Sequence, residues 1–155
     1  MDSIDYKRIT PADTELIGRI ADWYFNEWNI DKAATIKRLT DFPNDGIPFQ
    51  WIMTLDGSPI ATGGVYEHVG LLDAVPRLKE FQPWLALVYT LPDHRGKGYG
   101  AMLCEEIQAR AKTTGTEDLY LFTHTAESLY KRLGWEQLER IALKGKDIAI
   151  MKKEL

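Results

Sequence analysis

Val88-Tyr89-Thr90-Leu91-Pro92-Asp93-His94-Arg95-Gly96-Lys97-Gly98-Tyr99-Gly100-Ala101 is the stretch that decides the fold. It opens as the end of a strand, Trp84 to Thr90, and stops at Pro92. An arginine and three alternating glycines follow. A helical pattern then runs from Gly98 to about Thr113, with Leu103, Ile107, the Arg110 stem and Ala111 on one face. A strand that ends, a loop with little side chain and a helix N-terminus together make an anion site. The first backbone N–H groups of a helix have no intrahelical partner. The helix dipole adds partial positive charge there, and glycines let a phosphate approach the backbone.

Several glycine loops share that outline. A Walker A loop needs Ser or Thr after Gly-Lys, and Lys97 is followed by Gly98. The pattern GxGxxA matches at Gly96, Gly98 and Ala101. A dinucleotide fold, however, wants its first glycine close on the strand end and an acid ending the next strand. Here a long turn separates Val88 from Gly96, and Glu117 and Asp118 precede the next apolar run. The better match is Arg-x-x-Gly-x-Gly at Arg95, Gly98 and Gly100, with Pro92 ahead of it. This resembles the pyrophosphate loop of the GNAT superfamily of acyl-CoA N-acyltransferases. A second block, Ala126-Glu127-Ser128-Leu129-Tyr130-Lys131-Arg132-Leu133-Gly134-Trp135, resembles that superfamily's later A-x-x-L-Y-x-k-L-G-F segment, with Trp135 for Phe. The order and spacing of the two blocks agree, and the resemblance spans about residues 50 to 152. The stretches Gln82-Pro83-Trp84-Leu85-Ala86 and Leu121-Phe122-Thr123-His124 further resemble a branch that includes the actin N-terminal acetyltransferase.

At 155 residues the chain suits one domain, 1–155. No apolar run approaches the ~20 residues of a membrane span, and the acidic start Met1-Asp2-Ser3-Ile4-Asp5 lacks a signal-peptide pattern. Cys104 is the only cysteine, so no intrachain disulfide forms. Cytoplasmic residence is therefore expected, with no membrane partner. A net charge of −4 argues against nucleic acid and suits a cationic amine. No spacing of His, Cys, Asp or Glu resembles a metal site.

The coarse order reads βααββ-β-αβαββ. Asp5 to Ile9 is a first strand, and Thr10-Pro11 has the form of a helix start. Leu16, Ile20, Trp23, Tyr24 and Trp28 follow at helical spacing, and a second helix spans 31–40. Strands at 50–55 and 59–69 flank the turn Asp56-Gly57. Gly63-Gly64 predicts a bulge or a close backbone approach. Residues 70–82 resist assignment. A strand at 119–122, a helix at 126–133 closed by Gly134, and a hairpin of 135–142 with 147–152 complete the chain. The resemblance implies a mixed α/β fold: a central mixed sheet of about seven strands, splayed at its centre, with helices on both faces. The parallel strands 84–90 and 119–122 would separate, and the pantetheine arm of the cofactor would enter between them.

The resemblance also implies roles. Backbone groups of Val88, Tyr89 and Thr90 would meet the pantetheine and the acyl carbonyl. The amides of Gly96, Lys97, Gly98, Tyr99 and Gly100 would hold the diphosphate, with added charge from Arg95 and Lys97. Tyr130 stands where many relatives place a general acid toward the leaving thiolate, though a packed aromatic would look the same. Thr123 replaces an asparagine that bonds the pantetheine in many relatives. The general base is less defined: the strand 84–90 carries no carboxylate, which leaves His124, Glu67, His68 or a water chain. His94 reads as solvated. Cys104, beside Glu105 and Glu106, has a raised thiol pKa and is no nucleophile. The aromatic run Trp23-Tyr24-Phe25 with Trp28 exceeds the needs of one buried face. Most of it reads as core, and the resemblance implies that one or two members line an acceptor pocket, since the family's acceptor loops come from this region. The function implied is an acetyl-CoA-dependent N-acetyltransferase acting on a primary amine of unspecified identity. The alternative is a non-catalytic acyl-CoA-binding module on the same fold. Oligomeric state stays open, a homodimer being common among relatives.

Overall fold

The computed structural model describes residues 3–155. Seven strands form one sheet in the order β1-β2-β3-β4-β5-β7-β6. They are β1 (Ile4–Arg8), β2 (Phe49–Leu55), β3 (Ser58–Tyr66), β4 (Trp84–Thr90), β5 (Asp118–Thr123), β6 (Glu136–Leu143) and β7 (Lys146–Glu154). The helices are α1 (Thr14–Trp28), α2 (Lys32–Thr40), the short α3 (Leu71–Ala74), α4 (Tyr99–Thr113) and α5 (Glu127–Arg132). The segment that resisted assignment consists of α3 and a 3-10 turn over Pro76–Glu80. The mixed, splayed α/β sheet expected from the sequence is present.

Local chemistry explains most boundaries. In both two-residue hairpins the turn residues take positive φ, Asp56 and Gly57 at 51° and 85°, Lys144 and Gly145 at 52° and 77°. This geometry matches strand twist. Asp31 caps α2 by accepting from the Ala34 N–H at 3.0 Å. The start of α1 differs from the expected Thr10-Pro11 cap. The Asp13 carboxylate accepts from the Thr10 N–H (2.7 Å) and hydroxyl (3.0 Å), so residues 10–12 form a turn and the helix begins at Thr14.

The sheet has a core on each face. One joins Ile17, Ile20, Trp23 and Tyr24 of α1 to Ile52, Tyr66, Trp84 and Tyr89. The other joins Leu103, Cys104, Ile107 and Ala111 of α4 to Leu85, Leu119, Leu121 and Met151. Ile17, fully buried, replaces the half-exposed Leu16 as the first anchor of α1.

Candidate active site

β4 and β5 run parallel but pair only at Trp84 and Tyr120, where the Tyr120 N–H donates to the Pro83 carbonyl at 3.0 Å. From there they diverge. β4 stays paired with β3 on its other side as far as Thr90 opposite Ala61, and the Leu91 N–H donates to Ile60 O at 2.8 Å. Peptide groups alternate sides along a strand. Those of Thr90, one residue before the Leu91 N–H that bonds β3, therefore face the opening. Beyond Trp84 this edge of β4 has no neighbouring strand, so its backbone groups need other partners.

β4 is also bulged. Leu87 takes φ 58°, unusual for a branched side chain, and the register slips between Thr62 and Gly64 of β3. Gly63 is the reason the bulge fits: a Cβ there would lie 3.2 Å from Val88 Cγ2 and 3.1 Å from Ile107 Cδ1. A buried polar chain holds the bulge from below. The Tyr24 hydroxyl donates to the Leu87 carbonyl at 2.6 Å and accepts from Gln50 Nε2 at 2.9 Å. Gln50 Nε2 also donates to Thr62 Oγ1 at 2.8 Å, and Gln50 Oε1 accepts from the Tyr66 hydroxyl. Burial raises the Tyr24 and Tyr66 hydroxyls above their ordinary pKa and keeps them donors. Every polar atom of the Gln50 amide group has a partner, which is what makes such a network rigid. The sequence offered little sign of it, since Gln50 and Tyr24 lie on separate elements.

The glycine loop closes the C-terminal end of β4. Gly96 and Gly98 take φ 77° and 89°, and Gly98 is the N-cap of α4 with no side-chain cap. The Met102 N–H makes the first intrahelical bond, to Gly98 O at 3.1 Å. The preceding N–H groups of Tyr99, Gly100 and Ala101 thus lie free at the head of a four-turn helix. At Gly100 a Cβ would touch only Thr90 Oγ1, at 3.4 Å. Folding does not demand a glycine there; an approaching ligand would. The donors, the glycines and the unpaired β4 edge fit the diphosphate and pantetheine arm of an acyl-CoA. Lys97 is exposed beside them.

Other candidates fall into place around the cleft. Arg95 folds back across the end of β4. Its Nε donates to Thr90 O at 2.7 Å, one terminal nitrogen lies 3.3 Å from Glu27 Oε1, and its carbon sits 5.3 Å from the Tyr89 ring centre. Thr123 Oγ1 accepts from the N–H groups of Ala126 (3.0 Å) and Thr125 (3.3 Å), so it shapes the entry to α5. His124 is exposed at the β5 end of the opening. Glu67 and His68 follow Tyr66, which pairs with Trp84 at the far end of β4. The antiparallel run of β3 carries them about 20 Å from Thr90, so neither serves the cleft. His94 is half-buried with its ring centre 6.2 Å from that of Tyr99, not solvated as expected.

Tyr130 lies on α5 against Trp135, ring centres 6.0 Å apart, with its hydroxyl beside the Cys104 thiol. Burial, reinforced by Cys104, raises the phenol above its ordinary value. Burial also pushes the Cys104 thiol up to about 12, with Glu105 adding to the effect. The acidic setting noted in the sequence is thus the smaller cause. Among the described residues, no three His, Cys, Asp or Glu side chains are grouped to hold a metal, and no helix is long and apolar enough to cross a membrane.

Residues 14–135 match the family model described as the acetyltransferase (GNAT) family. The chain belongs to the GNAT family of acetyltransferases. Among solved structures, the aminoglycoside 6'-N-acetyltransferase from Enterococcus faecium superposes with a TM-score of 0.75 at 12% identity, covering 97% of this chain and 96% of that one. An acetyltransferase of the GNAT family from Streptococcus pneumoniae gives 0.73 at 15% identity, covering 99% of each chain. Ard1 from Thermoplasma volcanium gives 0.70 at 15% identity, covering 98% and 97%. At such identities the likeness is one of fold. No curated protein matches the sequence. This GNAT acetyltransferase thus has the family fold across its full sheet, with the cleft and the glycine loop at one end of it.

Proposed function

We propose that the whole chain acts as one N-acetyltransferase domain that moves an acetyl group from acetyl-CoA to a primary amine in a ternary complex. The observation that carries this reading is the splay of β4 from β5, which ends beside the uncapped N-terminus of α4. A similar fold, an aminoglycoside 6'-N-acetyltransferase, is known in complex with coenzyme A. The co-substrate supplies a thioester carbonyl. The amides of Gly98 to Ala101 would hold its diphosphate, and backbone groups of Val88 and Thr90 its arm. The amine nitrogen bonds to the carbonyl carbon as the carbon–sulfur bond breaks. A β4 N–H beside the bulge stabilises the negative charge that develops on oxygen. The Tyr130 hydroxyl donates its proton toward the departing sulfur, and the amine gives up a proton to His124 or to water. Donors of this kind are intracellular metabolites, so the reading includes a cytoplasmic setting.

The test is release of free coenzyme A from acetyl-CoA, followed with lysine, spermidine, kanamycin and a hexapeptide with a free N-terminus as acceptors. Turnover with at least one amine, with acetylated nitrogen in the product, is expected. Tight coenzyme A binding with no turnover across amine classes would favour the non-catalytic module instead.

A further inference from the structure

The guanidinium of Arg95 occupies a ready-made cation site. Three groups of kinds that bind cations converge on it: the Glu27 carboxylate at 3.3 Å, the face of Tyr89 with its centre 5.3 Å away, and the Thr90 carbonyl at 2.7 Å. The setting is aromatic, since Trp23 stacks on Tyr89 at 5.4 Å and Trp28 meets its edge at 6.0 Å. Trp28 is 44% exposed, so this face is open to an entering molecule. α1, which carries Glu27, packs on one face of the sheet, whereas α4 lies on the other. Arg95 reaches around the end of β4 from the loop that precedes α4.

We propose that Glu27 and Tyr89 form the subsite for the acceptor's ammonium group, and that Arg95 is its internal placeholder, withdrawn when the acyl donor binds. This rests on the acyltransferase reading above. A diphosphate at the head of α4 offers Arg95 bidentate, charge-assisted bonds. The pair with Glu27 is half-exposed and weak, worth little against such a partner. Moving the guanidinium to the diphosphate frees two acceptors at once. Thr90 O becomes available to an amide N–H of the donor's arm, and Glu27 to a cationic amine. Donor binding thus favours acceptor binding, and the reverse holds equally. The acceptor is a primary amine that arrives as an ammonium ion next to an aromatic wall. It loses one proton to water or His124 before its nitrogen attacks, and a second as the amide forms.

The experiment is calorimetric titration of coenzyme A into wild type, Glu27→Gln, Arg95→Ala and the double variant. Removing the Glu27 charge releases Arg95, so Glu27→Gln should bind coenzyme A about two- to five-fold more tightly, the range a half-exposed ion pair supports. Arg95→Ala should bind more weakly, and adding Glu27→Gln to it should change nothing further. With the amine that turns over fastest among lysine, spermidine, kanamycin and the hexapeptide, Glu27→Gln should raise KM without lowering the affinity for coenzyme A. Unchanged coenzyme A affinity in Glu27→Gln, or an equal gain in the Arg95→Ala background, overturns the placeholder. An unchanged amine KM overturns the ammonium subsite. Wild type that binds no coenzyme A overturns the acyltransferase reading itself, a result separable from the others.

Discussion

Tyr130 illustrates how much one residue's role depends on its surroundings. Its burial against Cys104 raises the phenol pKa, so the hydroxyl stays protonated through neutral and mildly alkaline pH. Activity should therefore show no alkaline loss from Tyr130 below pH ~10. Tyr130→Phe keeps the contact with Trp135 and removes only the donor. It should lower kcat ~10²–10⁴-fold with little change in coenzyme A affinity. Near-normal turnover with chemistry rate-limiting would show the ring to be packing alone. Tyr24 acts at one remove, as a positioning residue, through the Leu87 carbonyl it holds at 2.6 Å. Tyr24→Phe leaves that carbonyl without its partner and should cost about 1–3 kcal/mol of stability in urea unfolding. Its kcat should fall more than its coenzyme A affinity, because the bulge that aims the β4 N–H loses its tether. The residues of the glycine loop and Tyr130 were legible in the sequence because their types and spacing carry the signal. Glu27 was not, since one carboxylate at the end of an amphipathic helix resembles any solvated one.

Among the elements, α4 and β4 carry the site. The glycines at the head of α4 separate into two kinds. Gly98 needs its φ of 89°, so any side chain there strains the fold itself. Gly100 has ordinary helical geometry and room for a methyl group against Thr90 Oγ1. Gly100→Ala should leave the thermal midpoint unchanged or higher, since alanine favours a helix over glycine by up to ~1 kcal/mol. The same methyl group stands among the free N–H groups, so coenzyme A affinity should drop about ten-fold, ~1.4 kcal/mol. Equal affinity in calorimetry would remove the diphosphate from this loop. In β3, the glycine pair read from sequence as a bulge or a close approach turns out to serve both ends. Gly63 makes room for the bulge on its neighbour β4, and a Cβ at Gly64 would come within 2.5 Å of Phe49 O. The sequence could not say on which strand the bulge lies, because that depends on register across two strands.

For the molecule as a whole, the diverging strands leave the inner edge of β4 without a neighbouring strand beyond Trp84. A ligand that completes this edge should stabilise the fold. At ~100-fold above its Kd, coenzyme A should add ~2.7 kcal/mol, seen as a rise in melting temperature of roughly 5–11 °C for a chain of this size. NAD, which lacks the extended arm, should give a smaller shift. The sequence by itself determined the order of elements outside residues 70–82, the mixed α/β class, the glycine loop at the head of α4 and the family resemblance. These rest on local signals: alternation, helical period, turn pairs and glycine spacing. It also placed the tight hairpin at Asp56-Gly57, whose residues dictate their own backbone angles, and the last hairpin between residues 142 and 147, which the structure narrows to a two-residue turn at Lys144-Gly145. Only the tertiary structure decided which edges of β4 are paired, that Leu87 bulges, that Tyr24, Gln50 and Tyr66 join in one buried chain, and that Arg95 spans from Thr90 to Glu27. Glu67 and His68 show the same limit from the other side, since antiparallel pairing carries them to the wrong end of the sheet. Each of these facts depends on contacts between residues far apart in the chain. They follow from how the sheet twists and packs on its two helical layers, which no local pattern records.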